Sequence, residues 1–148
     1  MAQIRITKEY SFEAAHALKG YDGPCRNIHG HSYQLSVTVT GNPLDDPGAP
    51  KNGMIMDFSE LKNIIKSQII DPLDHALILP TDMETSGLEQ LGECFSKVHR
   101  VDYQPTSENL LSDFAKRIIP LLPEGVELHS MRLRETATSY AEWFSDKV

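Results

Sequence analysis

The clearest pattern along the chain is an alternation of apolar and polar residues over residues 31–40. One parity holds Tyr33, Leu35, Val37 and Val39, and the other holds Gln34, Ser36, Thr38 and Thr40. Residues 2–13 alternate more loosely, with Lys8 as the exception on a parity that otherwise contains Ile4, Ile6, Tyr10 and Phe12. A period of two is typical of a strand with one buried face, so the chain is predicted to begin with two strands.

Two later segments carry the spacing of amphipathic helices. Asp57 to Glu60 has the form of a capping box, with Asp in place of Ser or Thr, and Asp71-Pro72 ends the run. Its apolar stripe is Phe58, Leu61, Ile64, Ile65 and Ile69. A second helix is predicted to start at Pro105–Glu108 and to end at Pro120. Its stripe is Leu110, Leu111, Phe114, Ile118 and Ile119.

Two further strands are predicted at 126–138 and 139–144. Residues 80–104 show no clear period and are interpreted as a loop with a short helix over 88–99. Strands at both ends and helices between them indicate an α+β fold with an antiparallel sheet and helices on one face. At 148 residues the chain is long enough to bury a core, and one domain over 1–148 is predicted.

The composition excludes several classes of function. The formal net charge of −7, without a Lys/Arg cluster, argues against a nucleic-acid partner, although a local basic pocket could still bind a phosphorylated small molecule. No apolar stretch reaches the ~20 residues of a membrane span, and the N-terminal residues lack the apolar run of a signal peptide. Two cysteines do not make a disulfide framework, which favours a cytoplasmic protein.

Three histidines and a cysteine form the main candidate site. His29 and His31 are two residues apart on the parity of the buried face of their strand, so both can point at one ion. His16 shares the parity of the apolar residues in the first strand. Imidazole is a favoured ligand of Zn²⁺, and three histidines leave one tetrahedral position open, as catalytic zinc requires. The alternative is three histidines scattered through a core or surface.

Two alternative roles are open to Cys25 besides inert packing. It could be a fourth zinc ligand that closes a structural site, or it could act beside the metal as an acid–base group. Either role requires a turn at Gly23-Pro24, because an extended chain would place Cys25 ~13 Å from His29 at ~3.3 Å per residue. The spacing alone does not decide between them.

Two acidic residues complete the candidates. Asp74 could orient the imidazole of His75, but adjacent residues on a strand point to opposite faces, so a bend is needed; a polar pair that caps a turn explains them equally well. Glu135 shares the parity of apolar neighbours. A buried carboxylate needs a partner, and it would suit the paired N–H groups of a flat heterocycle. The alternative is a strand end already in solvent.

Together these motifs resemble the 6-pyruvoyltetrahydropterin synthase family. The resemblance runs from about residue 4 to 138 in the family's order and includes five matching segments. They are Phe12–His16, the Cys25, His29 and His31 cluster, Leu73–His75, Pro105–Glu108 and Arg134-Glu135-Thr136. Three residues between Cys25 and His29 resemble the bacterial branch, 6-carboxy-5,6,7,8-tetrahydropterin synthase of queuosine biosynthesis.

The resemblance implies a T-fold: a four-stranded antiparallel sheet with two helices on one face, assembled as trimers or as a dimer of trimers. It implies that His16, His29 and His31 hold Zn²⁺. It further implies that Cys25 accepts a proton and that Asp74 and His75 form a relay beside it. The pterin would be gripped by Glu135, and the matching Pro105–Glu108 segment would place Thr106 and Ser107 at the substrate.

The implied activity is that of a zinc-dependent lyase. It would convert 7,8-dihydroneopterin triphosphate to 6-carboxytetrahydropterin and release triphosphate and acetaldehyde. Three alternatives are a sister reaction on the same substrate (side-chain isomerisation to 6-pyruvoyltetrahydropterin, or cleavage to a hydroxymethylpterin), a non-catalytic zinc-binding domain closed by Cys25, and a metal-dependent hydrolase with water in the open position.

Overall fold

A long pair of antiparallel strands is the centre of the computed structural model, which describes residues 3–147. The two alternating segments of the sequence form this pair, and the predicted strands are confirmed, although Ala2 lies outside the described residues. Six strands make one mixed sheet in the order β4-β3-β1-β2-β5-β6. The strands are β1 (Ile4–His16), β2 (His29–Gly41), β3 (Ala76–Pro80), β4 (Val98–Val101), β5 (Glu127–Thr136) and β6 (Ser139–Phe144).

The expectation of four antiparallel strands is wrong. β3 pairs in parallel with the end of β1, and β4 pairs in parallel with β3. These strands have only five and four residues, which is too short to show an alternating pattern. The interpretation of residues 80–104 as a loop therefore missed β4, and the short helix of that region is a 3-10 segment over Leu88–Phe95.

Helices cover one face of the sheet. The first begins at Asp57, whose side chain accepts a hydrogen bond from the Ser59 N–H. The run passes the predicted end at Asp71-Pro72 and stops at Leu73. Its parts are α1 (Phe58–Ile65), a π-helical turn (Lys66–Ile70) and α2 (Asp71–Leu73). The second helix is α3 (Ser107–Ile118), with a 3-10 turn at Ile119–Leu121.

The core lies between these helices and the inner face of the sheet. The sheet contributes Phe12, Tyr33, Leu35 and Val37, and the helices contribute residues such as Leu61, Ile65, Leu110 and Phe114. Two predicted members of the helical stripes lie outside it, since Phe58 is 52% exposed and Ile119 49% exposed. Both stand at helix ends, where the stripe leaves the sheet. Among residues 3–147, no helix combines the length and apolar character needed to cross a bilayer.

A half-buried polar network joins α3 to the β4 side of the fold. The Arg117 guanidinium donates from Nε and Nη2 to the two carboxylate oxygens of Asp113, at 3.1 and 2.7 Å, and from Nη1 to the Gln68 carbonyl. The Tyr103 hydroxyl donates to Asp113 at 2.5 Å. Burial opposes ionisation of Asp113, but the Arg117 and Tyr103 hydrogen bonds outweigh burial and keep its pKa below the ordinary value.

Replacing Asp113 with Asn is expected to destabilise the protein by about 2 kcal/mol, because Arg117 and Tyr103 lose a charged acceptor in a half-buried place. The free energy of unfolding can be measured by urea titration with circular dichroism. Asp45→Asn is the matched control, since Asp45 is exposed. Equal stability of the two variants would contradict a stabilising role for the network.

Candidate active site

The register of β1 and β2 brings three histidines together. His16 lies directly opposite His29, and His31 follows two residues later on the same face of β2. His16 is 2% exposed, and the other two are partly buried. One ring nitrogen from each side chain belongs to a cluster in which all three atoms lie within 4.8 Å of one another. The three histidines therefore lie together as their strand parity predicts.

Two backbone carbonyls fix which nitrogen of each ring faces the cluster. The Nδ1 of His16 is 2.7 Å from the Pro105 oxygen, and the Nδ1 of His29 is 2.7 Å from the Asn27 oxygen. A carbonyl only accepts, so each Nδ1 carries the hydrogen and donates it. In the neutral rings both Nε2 atoms are then unprotonated. This is the second-sphere arrangement that orients histidines as metal ligands.

The free nitrogens fit a bound cation. The Nε2 atoms of His16 and His29 are 3.1 Å apart, and two lone pairs at that distance repel unless a positive charge lies between them. Ligand bonds of about 2.0–2.1 Å would hold two nitrogens of a tetrahedral site about 3.3 Å apart. The buried Nε2 of His31 has no hydrogen-bond partner among the described residues. These three residues could hold a metal ion.

The electrostatics of the cluster favour neutral imidazoles. Burial lowers the pKa of His16, and the neighbouring histidines add to the effect, while the Pro105 hydrogen bond and Glu135 partly oppose it. Burial also lowers the pKa of His31, with Glu135 opposing. Only neutral imidazole binds a metal, so burial prepares both side chains for coordination near neutral pH.

Glu135 reaches the cluster from a bulge in β5. The pairing of β5 with β6 shifts between Arg134 and Thr136, and a bulge of this kind redirects a side chain. One carboxylate oxygen accepts a 2.6 Å hydrogen bond from Ser107 in the first turn of α3. The other lies 3.4 Å from the His31 Nε2, without a hydrogen bond. The buried Ser107 is thus the hydrogen-bond partner that was expected for the Glu135 carboxylate.

Thr106 has a different task from its neighbour. Its hydroxyl accepts a hydrogen bond from the Asn109 N–H at 3.2 Å and so caps α3. Ser107 is 7% exposed and lies inside the site, whereas Thr106 is partly exposed at its rim. The predicted pair thus divides into a helix cap and a support for Glu135.

Cys25 is not part of the histidine cluster. Its residue is the middle of a 3-10 turn over Pro24–Arg26, and its carbonyl accepts a 3.0 Å hydrogen bond from the Leu18 N–H. The turn that the sequence required at Gly23-Pro24 is therefore present. Within residues 3–147, the group of potential ligand atoms contains the three histidines and not the Cys25 sulfur.

Asp74 and His75 lie at the bend between α2 and β3. The His75 Nδ1 is 3.1 Å from the Asp74 carboxylate, and His75 has a φ of 62°, which supplies the bend that the pairing needs. The backbone of Glu13 holds both residues: its N–H donates to the Asp74 carboxylate at 2.9 Å, and its oxygen accepts from the His75 N–H. The ammonium of Lys97 donates to the Asp71 and Asp74 carbonyls.

A cleft of about 550 Å³ connects these elements, and both His31 and His75 line it. The His75 side chain is 77% exposed, while that of Asp74 is 38% exposed. The Glu13 hydrogen bond is the main reason that the pKa of Asp74 lies below its usual value, so the carboxylate stays ionised. Across residues 3–147, no hydrogen bond joins Cys25 to Asp74 or His75.

A comparison with known proteins decides the family. The family model described as 6-pyruvoyl tetrahydropterin synthase matches residues 5–146. The chain belongs to the 6-pyruvoyl tetrahydropterin synthase family. The resemblance drawn from the motifs is confirmed, and the family is a family of enzymes.

Relatives within this family cover nearly the whole chain. A Haemophilus influenzae protein named 6-carboxy-5,6,7,8-tetrahydropterin synthase is 40% identical over 142 residues, which cover 95% of this chain and 98% of the relative. A Synechocystis protein of the same name is 38% identical over 145 residues, covering 97% and 95%. Both carry the branch name that the spacing of Cys25 and His29 indicates.

Two solved structures share the fold of this chain. The 6-pyruvoyl tetrahydropterin synthase of Caenorhabditis elegans has a TM-score of 0.68 at 25% identity, covering 99% of this chain and 98% of that chain. An uncharacterised Wolinella succinogenes protein has a TM-score of 0.77 at 21% identity and shares the fold, with 99% and 100% covered.

The sequence did not predict the contacts that backbone carbonyl groups make in the site. The carbonyls of Pro105 and Asn27 orient two histidines, and a carbonyl has no sequence signature. Lys97 was missed because residues 80–104 could not be assigned. Its ammonium reaches two carbonyls at the end of α2, and only the tertiary structure brings them together.

Acidification is expected to destabilise the metal-free protein. Burial holds the pKa values of His16, His31 and His99 below the ordinary histidine value of about 6.5, so protons bind the unfolded chain more readily than the folded one. Stability is therefore complete above about pH 6.5 and falls below it. Thermal unfolding in a chelator at about pH 7.5 and about pH 5.5 measures the loss. His31→Asn should show a smaller loss, and a midpoint that rises on acidification would contradict the assignment.

Proposed function

We propose that this protein is a 6-carboxy-5,6,7,8-tetrahydropterin synthase that converts 7,8-dihydroneopterin triphosphate to 6-carboxytetrahydropterin with loss of triphosphate and acetaldehyde. The observation that carries the proposal is the cluster of ring nitrogens from His16, His29 and His31, of which His31 also lines a cleft that contains His75. The two relatives of that name, which match along nearly their whole length, support it.

The metal is proposed to be Zn²⁺, held by His16, His29 and His31, because zinc favours imidazole ligands and tetrahedral geometry. When bound, zinc supplies a Lewis acid that acidifies substrate hydroxyls and stabilises negative charge on oxygen. Cys25 lies outside the ligand cluster, which supports an open fourth position for the substrate.

Cys25 is proposed to accept a proton from the substrate side chain. Its backbone carbonyl is tied to the N–H of Leu18, two residues after His16, which supports a place for the thiol close to the proposed metal. General acid–base catalysis contributes about 10²–10⁴-fold to rate, so loss of this group is expected to be severe.

His75 is proposed to be the complementary acid, with Asp74 orienting its ring. The ionised Asp74 carboxylate accepts the His75 Nδ1 hydrogen and leaves Nε2 for the substrate. The exposure of His75 suits a group that meets a ligand in the cleft, or the site of a second subunit.

Glu135 is proposed to grip the pterin ring, supported by Ser107 and the capped turn at Thr106. A carboxylate suits the paired N–H groups of a pterin, and Ser107 fixes one of its oxygens. With Ser107 buried behind it, Glu135 presents its charge beside His31, where the ring would stand next to the metal.

The wider assignments follow the resemblance and the composition. We propose that residues 1–148 form one catalytic domain and that the enzyme is cytoplasmic. We also propose that it assembles as a homo-oligomer, either a trimer or a dimer of trimers. The exposed relay of Asp74 and His75 supports an assembly in which the site is shared between subunits.

A second candidate is 6-pyruvoyltetrahydropterin synthase activity on the same substrate. The structural likeness to the Caenorhabditis elegans enzyme of that name favours it. The two reactions differ in their products, since only the first releases acetaldehyde and shortens the side chain of the pterin.

Incubation of the purified zinc-loaded protein with 7,8-dihydroneopterin triphosphate is expected to yield 6-carboxytetrahydropterin, triphosphate and acetaldehyde. Mass spectrometry identifies the pterin, and a coupled alcohol dehydrogenase assay detects the aldehyde. A three-carbon side chain on the product, without acetaldehyde, would favour the second candidate. Hydrolysis of simple esters or phosphodiesters without any pterin reaction would favour a hydrolase.

Replacing Cys25 with Ala is expected to reduce turnover by at least about 100-fold, because the proton acceptor is lost. Zinc content should stay at that of the wild type, since the ligands are the three histidines. Cys25→Ser should behave alike, because a hydroxyl is a much weaker acid than a thiol. Loss of zinc with the thiol, or sulfur in the zinc X-ray absorption spectrum, would instead support the closed structural site.

A further inference from the structure

The side chain of Gln104 makes an unusual pair of hydrogen bonds with a distant part of the backbone. Its Nε2 donates to the Lys19 oxygen at 2.8 Å, and its Oε1 accepts from the Lys19 N–H at 3.0 Å. The amide thus occupies the place that a neighbouring strand would take. Lys19 lies after the end of β1, where strand pairing no longer holds the chain.

The backbone around Gln104 is fixed as well. Its carbonyl accepts hydrogen bonds from the Thr106 N–H at 2.8 Å and from the Asn109 side chain at 2.9 Å. Because Thr106 caps α3, the residues from 104 to 109 form one rigid turn that continues into the packed helix. The Pro105 ring removes further freedom from this turn.

These contacts form a closed set of interactions that includes His16 of the proposed metal site. Pro105 follows Gln104 directly, and its carbonyl accepts the hydrogen of His16 Nδ1. Lys19 comes three residues after His16. The segment after β1 and the turn before α3 are therefore joined at two places, once by the Gln104 amide and once by the His16 ring. Each junction holds the other in register.

We propose that Gln104 is a positioning residue for the metal site: by holding Lys19, it places the Pro105 carbonyl where it orients the His16 ring. The inference rests on the proposed metal site. Without the two amide hydrogen bonds, the 104–106 turn and the 17–22 segment can separate. The end of β1 and the rigid turn then shift against each other, the hydrogen bond from His16 Nδ1 to the Pro105 carbonyl lengthens, and His16 Nε2 loses its fixed direction toward the other two nitrogens.

The test measures zinc affinity directly, by competition with a chromophoric chelator. Gln104→Met keeps the length of the side chain and removes both hydrogen bonds, and its zinc dissociation constant is expected to rise about tenfold, as for other groups behind a ligand. Gln104→Glu keeps an acceptor for the Lys19 N–H but cannot donate to the Lys19 oxygen, so it should also weaken zinc binding. It serves as a second variant if Gln104→Met folds poorly.

A stability-matched control separates positioning from general destabilisation. Val126→Ala removes a half-buried side chain next to β5 at the end of the sheet away from the histidines. It should lower the unfolding temperature of the metal-free protein and leave zinc affinity unchanged. An unchanged zinc dissociation constant in both Gln104 variants, or an equal rise in Val126→Ala, overturns the inference. If wild-type protein itself binds no zinc, the proposed metal site fails first, and that result is distinct.

Discussion

The register of β1 against β2 is the constraint on which the site depends. It places His16 opposite His29 and at the same time buries Tyr33 and Leu35 completely. A slip of one residue would turn every side chain of β2 to the other face and expose these core residues at a cost of about 2 kcal/mol each. Core packing and the geometry of the histidine cluster therefore require the same pairing.

The residues at the start of α3 connect the packed core to the polar groups of the site. The helix is anchored by buried residues such as Leu110 and Phe114, and its N-terminal turn touches two strands. On one side the Pro105 carbonyl reaches His16 from β1, and on the other Ser107 reaches Glu135 from β5. Apolar burial thus determines the direction of a ring nitrogen and of a carboxylate.

The sequence predicts those parts of the fold in which apolar residues recur at a regular spacing. The long strands and helices follow from apolar spacing, and the histidine trio follows from strand parity. The short β3 and β4 have too few residues to show a period, and their parallel pairing depends on long connections: β1 reaches β3 by way of β2 and the first helix, and β3 reaches β4 through residues 81–97. The bulge that redirects Glu135 and the carbonyls behind the histidines arise only in the folded backbone, because no side-chain pattern encodes them.

The anchoring of His75 to β1 has a consequence for motion within the site. Glu13, which holds the Asp74–His75 bend, and His16 belong to the same strand and are three residues apart. We therefore expect a displacement of this end of β1 to move the backbone of the bend and His16 together. The paired strand segment from Glu13 to His16 is the structural link between the bend and the histidine cluster.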